Sequence, residues 1–198
     1  MILWRSGLVA VVLGLTAAMP ALGQGARTLV GGSAGASASE LEGGIVDTDA
    51  RWGFMGGVFG LFRTSRNSLV GLELSYAQKG GENAARLDYL DIPLTIGVVI
   101  PTGNDALNFN FYTGIGFGVK LSCSDEGFGF DESPDWCGRA KSTEWTWPLG
   151  LAVGLRTGSG RFLGLDGRYS IGISDAFDNS AARNRAFQLR ALFAVPVR

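Results

Sequence analysis

Residues 109–121 read FNFYTGIGFGVKL. Phe109, Phe111, Thr113, Ile115, Phe117, Val119 and Leu121 take one set of alternate positions; Asn110, Tyr112, Gly114, Gly116, Gly118 and Lys120 take the other. A period of two is that of a strand, whose side chains point alternately to opposite faces. In a soluble sandwich the Phe/Ile/Val/Leu face would be the core. The glycine face would then meet water, yet it carries little of the charge a wet surface needs. In a narrow membrane barrel the assignment inverts: the bulky apolar face meets lipid and the small face lines a cramped lumen.

The same alternation recurs along the chain. Strands are expected at 28–38, 52–63, 69–79, 87–100, 109–121, 145–156, 162–174 and 187–197. The first is rich in Gly, Ala and Ser. The second has apolar residues on both faces, Met55 and Phe59 against Phe54 and Val58, so its register stays open. Short connections at 64–68, 101–106 and 157–160 alternate with longer ones at 39–51, 80–86, 122–144 and 175–186. Short turns at one end and long loops at the other mark an outer-membrane barrel, and each segment is near the roughly 9–11 residues that cross a bilayer at a tilt. Trp52, Tyr76, Trp145, Trp147 and Phe187 fall toward the loop end, and Phe62, Phe109, Phe111 and Phe193 toward the turn end. Two aromatic levels suit the two membrane interfaces. The fold class expected is all-β: an eight-stranded antiparallel up-and-down transmembrane β-barrel.

The faces opposite the apolar ones carry Glu73, Asp91, Lys120, Arg156, Asp166, Arg168, Gln188 and Arg190. Arg or Lys at the bilayer midplane costs about 2–4 kcal/mol. These side chains are therefore expected in the lumen, where they can pair, with glycines between them making room. Pro93 and Pro148 also lie within strands, where each removes a ladder donor, so bulges or strand starts are expected there.

Composition agrees with an exported barrel. Charged residues make up 18% of the 198, there are 31 glycines, and the formal net charge is −1. No basic footprint points to nucleic acid. Arg5, the apolar run LVAVVLGL (8–15) and ALG (21–23) have the form of a secretory signal peptide, expected at 1–23 with the barrel domain at 24–198. Removal of 1–23 takes away one base and leaves 16 − 18 = −2. The chain has no His, which removes most nucleophile–base pairs and the usual Cys/His zinc sites. No catalytic residue, cofactor or metal is expected. The only cysteines, Cys123 and Cys137, lie in the longest connection, and an even pair in an exported chain is a candidate disulfide. The acids of that loop could suggest Ca²⁺, but their spacing is not that of a known loop motif.

LELSYAQKGG (72–81), LDYLDIPLTIGVVIP (87–101), FYTGIGFGVKL (111–121) and LGLDGRYSIGISDAF (163–177) resemble the β-barrel domain of the outer-membrane "porin family". The resemblance covers about residues 52–197. It implies an eight-stranded barrel in the bacterial outer membrane, with no catalytic residues. The partners expected are outer-membrane lipid and the barrel assembly machinery, with a surface ligand left unspecified. The chain ends VPVR, whereas many such barrels finish on an aromatic residue. The expected function is binding, adhesion or envelope support through surface loops over a filled polar lumen. A narrow pore for ions or small solutes and a soluble lipocalin-like binder are the alternatives, with a lipid-modifying barrel enzyme ranked last.

Overall fold

The computed structural model of the protein describes residues 28–43, 48–82, 84–103, 106–125 and 135–197. The expected signal peptide lies outside them. Eight strands follow in order: β1 Thr28–Glu42, β2 Arg51–Arg63, β3 Ser68–Gly80, β4 Ala85–Ile100, β5 Leu107–Asp125, β6 Thr143–Arg156, β7 Phe162–Gly172 and β8 Arg183–Val197. A single helical turn, α1 (Trp136–Arg139), sits between β5 and β6. Each strand pairs antiparallel with the next, and β8 returns to β1 from Thr28↔Val197 to Glu42↔Arg183. The sheet is a closed barrel, so no edge strand remains.

The apolar faces point outward. Leu94, Ile96, Ile115, Leu151 and Leu165 are all about half exposed or more, and Leu163 reaches 61%. In water a continuous apolar band of this kind would drive association; against acyl chains it is the matching surface. The two faces of β2 resolve the same way: Met55 and Phe59 are buried, and Phe54 and Val58 look out.

The small face of β5 makes room inside for its neighbours. A Cβ on Gly116 would lie 2.3 Å from Thr146 Oγ1, and one on Gly118 2.7 Å from Asp91 Oδ1. On β6, a Cβ on Gly150 would lie 2.1 Å from the Tyr112 ring, so that ring occupies the space the glycine leaves.

Two expectations about the strands need correction. The 80–86 connection is not long: β3 and β4 run on until only 81–84 separate them, with Gly80 at φ 109° starting the tight reversal. The prolines are neither bulges nor strand starts. Pairing between β3 and β4 lapses from Leu72↔Leu94 to Ser75↔Asp91 beside Pro93, and between β5 and β6 from Thr113↔Leu149 to Gly116↔Thr146 beside Pro148. The register is the same on both sides of each gap, so the missing donor simply leaves a rung out. The bulge lies elsewhere: Asp88 pairs Ser122 but Tyr89 pairs Lys120, leaving Leu121 as the extra residue of β5.

Candidate functional site in the barrel lumen

The lumen is layered. At the turn end Leu29, Phe59, Phe162, Leu192 and Ala194 form an apolar plug. Above it, inward positions of β3, β5, β7 and β8 bring five polar side chains into a closed ring. Arg168 donates to Glu73 Oε2 (2.8 Å) and, through Nε, to the Tyr112 hydroxyl (3.0 Å). Tyr112 donates to Asp166 Oδ1 (2.7 Å). Arg190 donates through Nε to Asp166 Oδ2 (2.9 Å) and through Nη1 to Glu73 Oε1, which closes the ring. All five are buried, and two carboxylates face two guanidiniums. Every charge has at least two partners, the condition under which buried ions are tolerated.

A second cluster stands nearer the loop end. Lys79 Nζ donates to Glu144 Oε2 (2.8 Å) and contacts both oxygens of Asp91 (2.9 and 3.1 Å). Asn184 donates to the other oxygen of Glu144 (2.8 Å). The ammonium also sits 4.9 Å from the centroid of the Tyr89 ring, a cation–π contact. Between the clusters lie Ser75, Thr146, Pro148, Ser170 and Gln188 around a gap of about 10 Å³. Cavities of about 50 and 30 Å³ lie toward the turn end, each room for one or a few waters.

An apolar cap covers the second cluster. Leu41, Leu87, Tyr89 and Phe177 are at most 1% exposed and pack with Ala84, Ala85, Ala176 and Ala182. Two loops are knitted over them. Trp136 of α1 packs at a tilt against Phe177, ring centres 5.4 Å apart, Lys141 N–H donates to Ala176 O, and Asp178 N–H to Arg139 O. Cys123 and Cys137 are joined as a disulfide, tying α1 to the end of β5. The Leu121 bulge puts Cys123 in this position by pairing it with the inward Leu87.

Of the eight lumen residues expected from sequence, Glu73, Asp166, Arg168 and Arg190 meet in one ring. Asp91 belongs to the second cluster, and Gln188 is buried between the two, its Oε1 without a hydrogen-bond partner. Two do not join. Lys120, above the Gly118 row, gives its ammonium to Ala140 O in the cap segment. Arg156 lines the turn-end mouth with Arg63, Asn108 and Asn110. The sequence reading left out Lys79, Glu144 and Asn184. A signal was present for the first two: Lys79 continues the inward series Glu73, Ser75, Ala77, and Glu144 precedes Thr146 and Pro148 in the same phase.

The sequence profile of the family described as "Outer membrane protein beta-barrel domain" matches residues 23–178. No curated protein matches the sequence significantly. Among solved structures, Neisserial surface protein A is 13% identical, with 87% of this chain and 99% of that one covered and a TM-score of 0.55. Ail, the attachment invasion locus protein of Yersinia pestis, is 16% identical, with 85% and 99% covered and a TM-score of 0.45. OprG from Pseudomonas aeruginosa is 10% identical, with 86% and 93% covered and a TM-score of 0.45. At such identities the likeness is one of fold.

Proposed function

The chain belongs to the outer membrane protein beta-barrel domain family, and on that premise we propose that it is a closed-lumen barrel acting through its loop end, in binding, adhesion or envelope support. One observation carries this reading. Two ion clusters and two apolar layers stack along the axis, with cavities of only about 50, 30 and 10 Å³ near them. A conducting route would have to break buried ion pairs and displace Phe177 as well. The charged groups satisfy one another, which supports a structural rather than a catalytic role for them. The barrel's lipid-facing band makes membrane lipid its first partner, with the assembly machinery its partner during insertion.

The loop end is the part built beyond what crossing a membrane requires. Its strands extend past the aromatic level, its two largest loops brace each other, and a disulfide closes the β5–β6 loop on itself. The test is planar-bilayer recording of the purified, folded protein, with no unitary conductance expected. Reproducible current steps would overturn this reading in favour of a narrow pore. In parallel, cells carrying the barrel with 126–142 replaced by a short Asn-Gly turn should lose the surface binding conferred by the intact chain, while the barrel stays heat-modifiable on a gel.

A further inference from the structure

The charges outside the two ion clusters are sorted by end. The turn end and the strand termini beside it contribute Arg27, Arg63, Arg66, Arg156, Arg161 and Arg198 against one acid, Asp105, a net of +5. The loop end has seven bases against thirteen acids, a net of −6. Arg27, Asp47, Asp105, Glu126, Asp131, Glu132 and Arg198 enter these counts by their place in the sequence alone. A soluble barrel has no need of such sorting. A barrel whose ends meet two different surfaces does.

We propose that the turn-side rim is a surface for acidic phospholipids, with Arg66 and Arg161 taking head-group phosphates of the adjoining leaflet. Their depth fits. Arg161 lies two residues before Leu163, in the same outward phase, and Leu163 is 61% exposed on the lipid face; Arg63, in the phase of Met55 and Phe59, faces the lumen mouth instead. Arginines at the edge of an apolar band sit at head-group level, their stems along the apolar surface and their charge at the interface. Arg66 is exposed at the tip of a turn ordered by Ser65 Oγ, which accepts from the N–H groups of Asn67 and Ser68. Neither Arg66 nor Arg161 has a carboxylate partner among the described residues, in contrast to Arg86, Arg183 and Arg185 at the loop end, each paired with an acid.

Their arrangement also selects the partner. Arg66 lies between β2 and β3, and Arg161 between β6 and β7, four strands away around a ring of eight. A single docked molecule would need its contacts on one side; an annulus of head groups meets the whole rim. Phosphate is the shared chemistry, and the lipid is the source the depth favours. The inference rests on the barrel being embedded in a membrane. A chain that failed to embed would show no heat-modifiable folding in any lipid, which is a different result from a folded barrel without preference.

The test uses the full-length folded protein in detergent, offered equal amounts of phosphatidylglycerol and phosphatidylcholine, with retained lipid counted by native mass spectrometry. The expected result is a roughly fivefold or greater preference for phosphatidylglycerol, the equilibrium equivalent of one interfacial cation, falling as salt is raised. The R66Q/R161Q variant should lose that preference. R183Q/R185Q, which removes the same charge from the loop end, should keep it. Arg66→Gln alone, at an exposed turn tip, serves if the rim double variant does not fold, and should lower the preference in part. Equal retention of both lipids by the wild type, or equal loss in the two double variants, would overturn the proposal. So would release of the lipid by millimolar inorganic phosphate, which would mark a free-anion site. Binding of soluble peptidoglycan fragments at the rim in place of lipid would overturn it also.

Discussion

The two ion clusters inside the barrel use the same chemistry in opposite surroundings. The Glu73–Arg168–Tyr112–Asp166–Arg190 ring lies within the apolar band, balanced in charge and closed on itself. The Lys79 cluster has two carboxylates on one ammonium and borrows an amide from Asn184 and a ring face from Tyr89. Asp91, at its edge, keeps 16% of its side chain exposed, whereas the acids of the ring keep 7% and 1%. Deep in the membrane the charges must sum to zero and every lone pair must be used, because water cannot make up a deficit. Nearer the loop end an imbalance of one is held under a cap that loops can reinforce. The lesson is that lumen charge is organised by depth.

The variants that separate the clusters run from large effects to small. Arg190→Leu removes a guanidinium that serves both Glu73 and Asp166, so it should destabilise the barrel by about 3–5 kcal/mol, the usual consequence of leaving a buried charge unpaired. Urea unfolding in lipid vesicles measures this, and a loss under about 1 kcal/mol would mean that water reaches the ring. Lys79→Met leaves Asp91 and Glu144 facing each other, but Asp91 is partly wet and Asn184 remains. Its cost should be smaller, about 2–3 kcal/mol; equal costs in the same assay would abolish the distinction by depth. Tyr112→Phe keeps the ring in the space left by Gly150 and deletes only the hydroxyl that links Arg168 to Asp166. A loss of about 1–2 kcal/mol is expected, and a double-mutant cycle with Arg168→Met should show coupling.

The smallest global effect belongs to the cap. Cys123→Ser with Cys137→Ser should leave barrel unfolding unchanged within about 0.5 kcal/mol, as for substitutions remote from the cooperative core. In the chain-entropy model the link is worth roughly 3 kcal/mol to the loop it closes. Limited proteolysis of folded protein should therefore cut within 126–142 faster in the variant. Equal cutting rates would show that Trp136 on Phe177 suffices to hold the cap.

The barrel was legible because lipid imposes a strict period of two, and it faded where lipid stops. At Glu40, Glu42, Gln78, Asp88, Arg183 and Arg185 the outward face turns polar, so both faces look alike and the strands seem to end early. Glu144 and Asn184 were lost for this reason, lying before the expected strand starts at 145 and 187, and Lys79 stood at the last residue of the expected 69–79 strand, where the outward face had already turned polar. Lys120 was placed correctly by phase, but the extra Leu121 beside it could not be read from composition. Which acid meets which base was beyond the sequence altogether. Glu73 finds Arg168 and Arg190, 95 and 117 positions away, through the curvature and stagger of a closed sheet.

Leu121 makes β5 a strand with two phases. Below it the inward positions are even-numbered, set by the bilayer; above it they are odd-numbered, set by the cap. One inserted residue thus works like a gear shift between two drives on a single shaft. Were Leu121 paired with Asp88 instead of bulged, Ser122 would face Leu87 and Cys123 would fall opposite Arg86, its sulfur turned out of the cap. Removing Leu121 altogether would keep Lys120 on Tyr89, Ser122 on Asp88 and Cys123 on Leu87 in one unbroken ladder. What holds the cap in phase is therefore that the ladder skips Leu121, a constraint separate from the identity of the side chains around it.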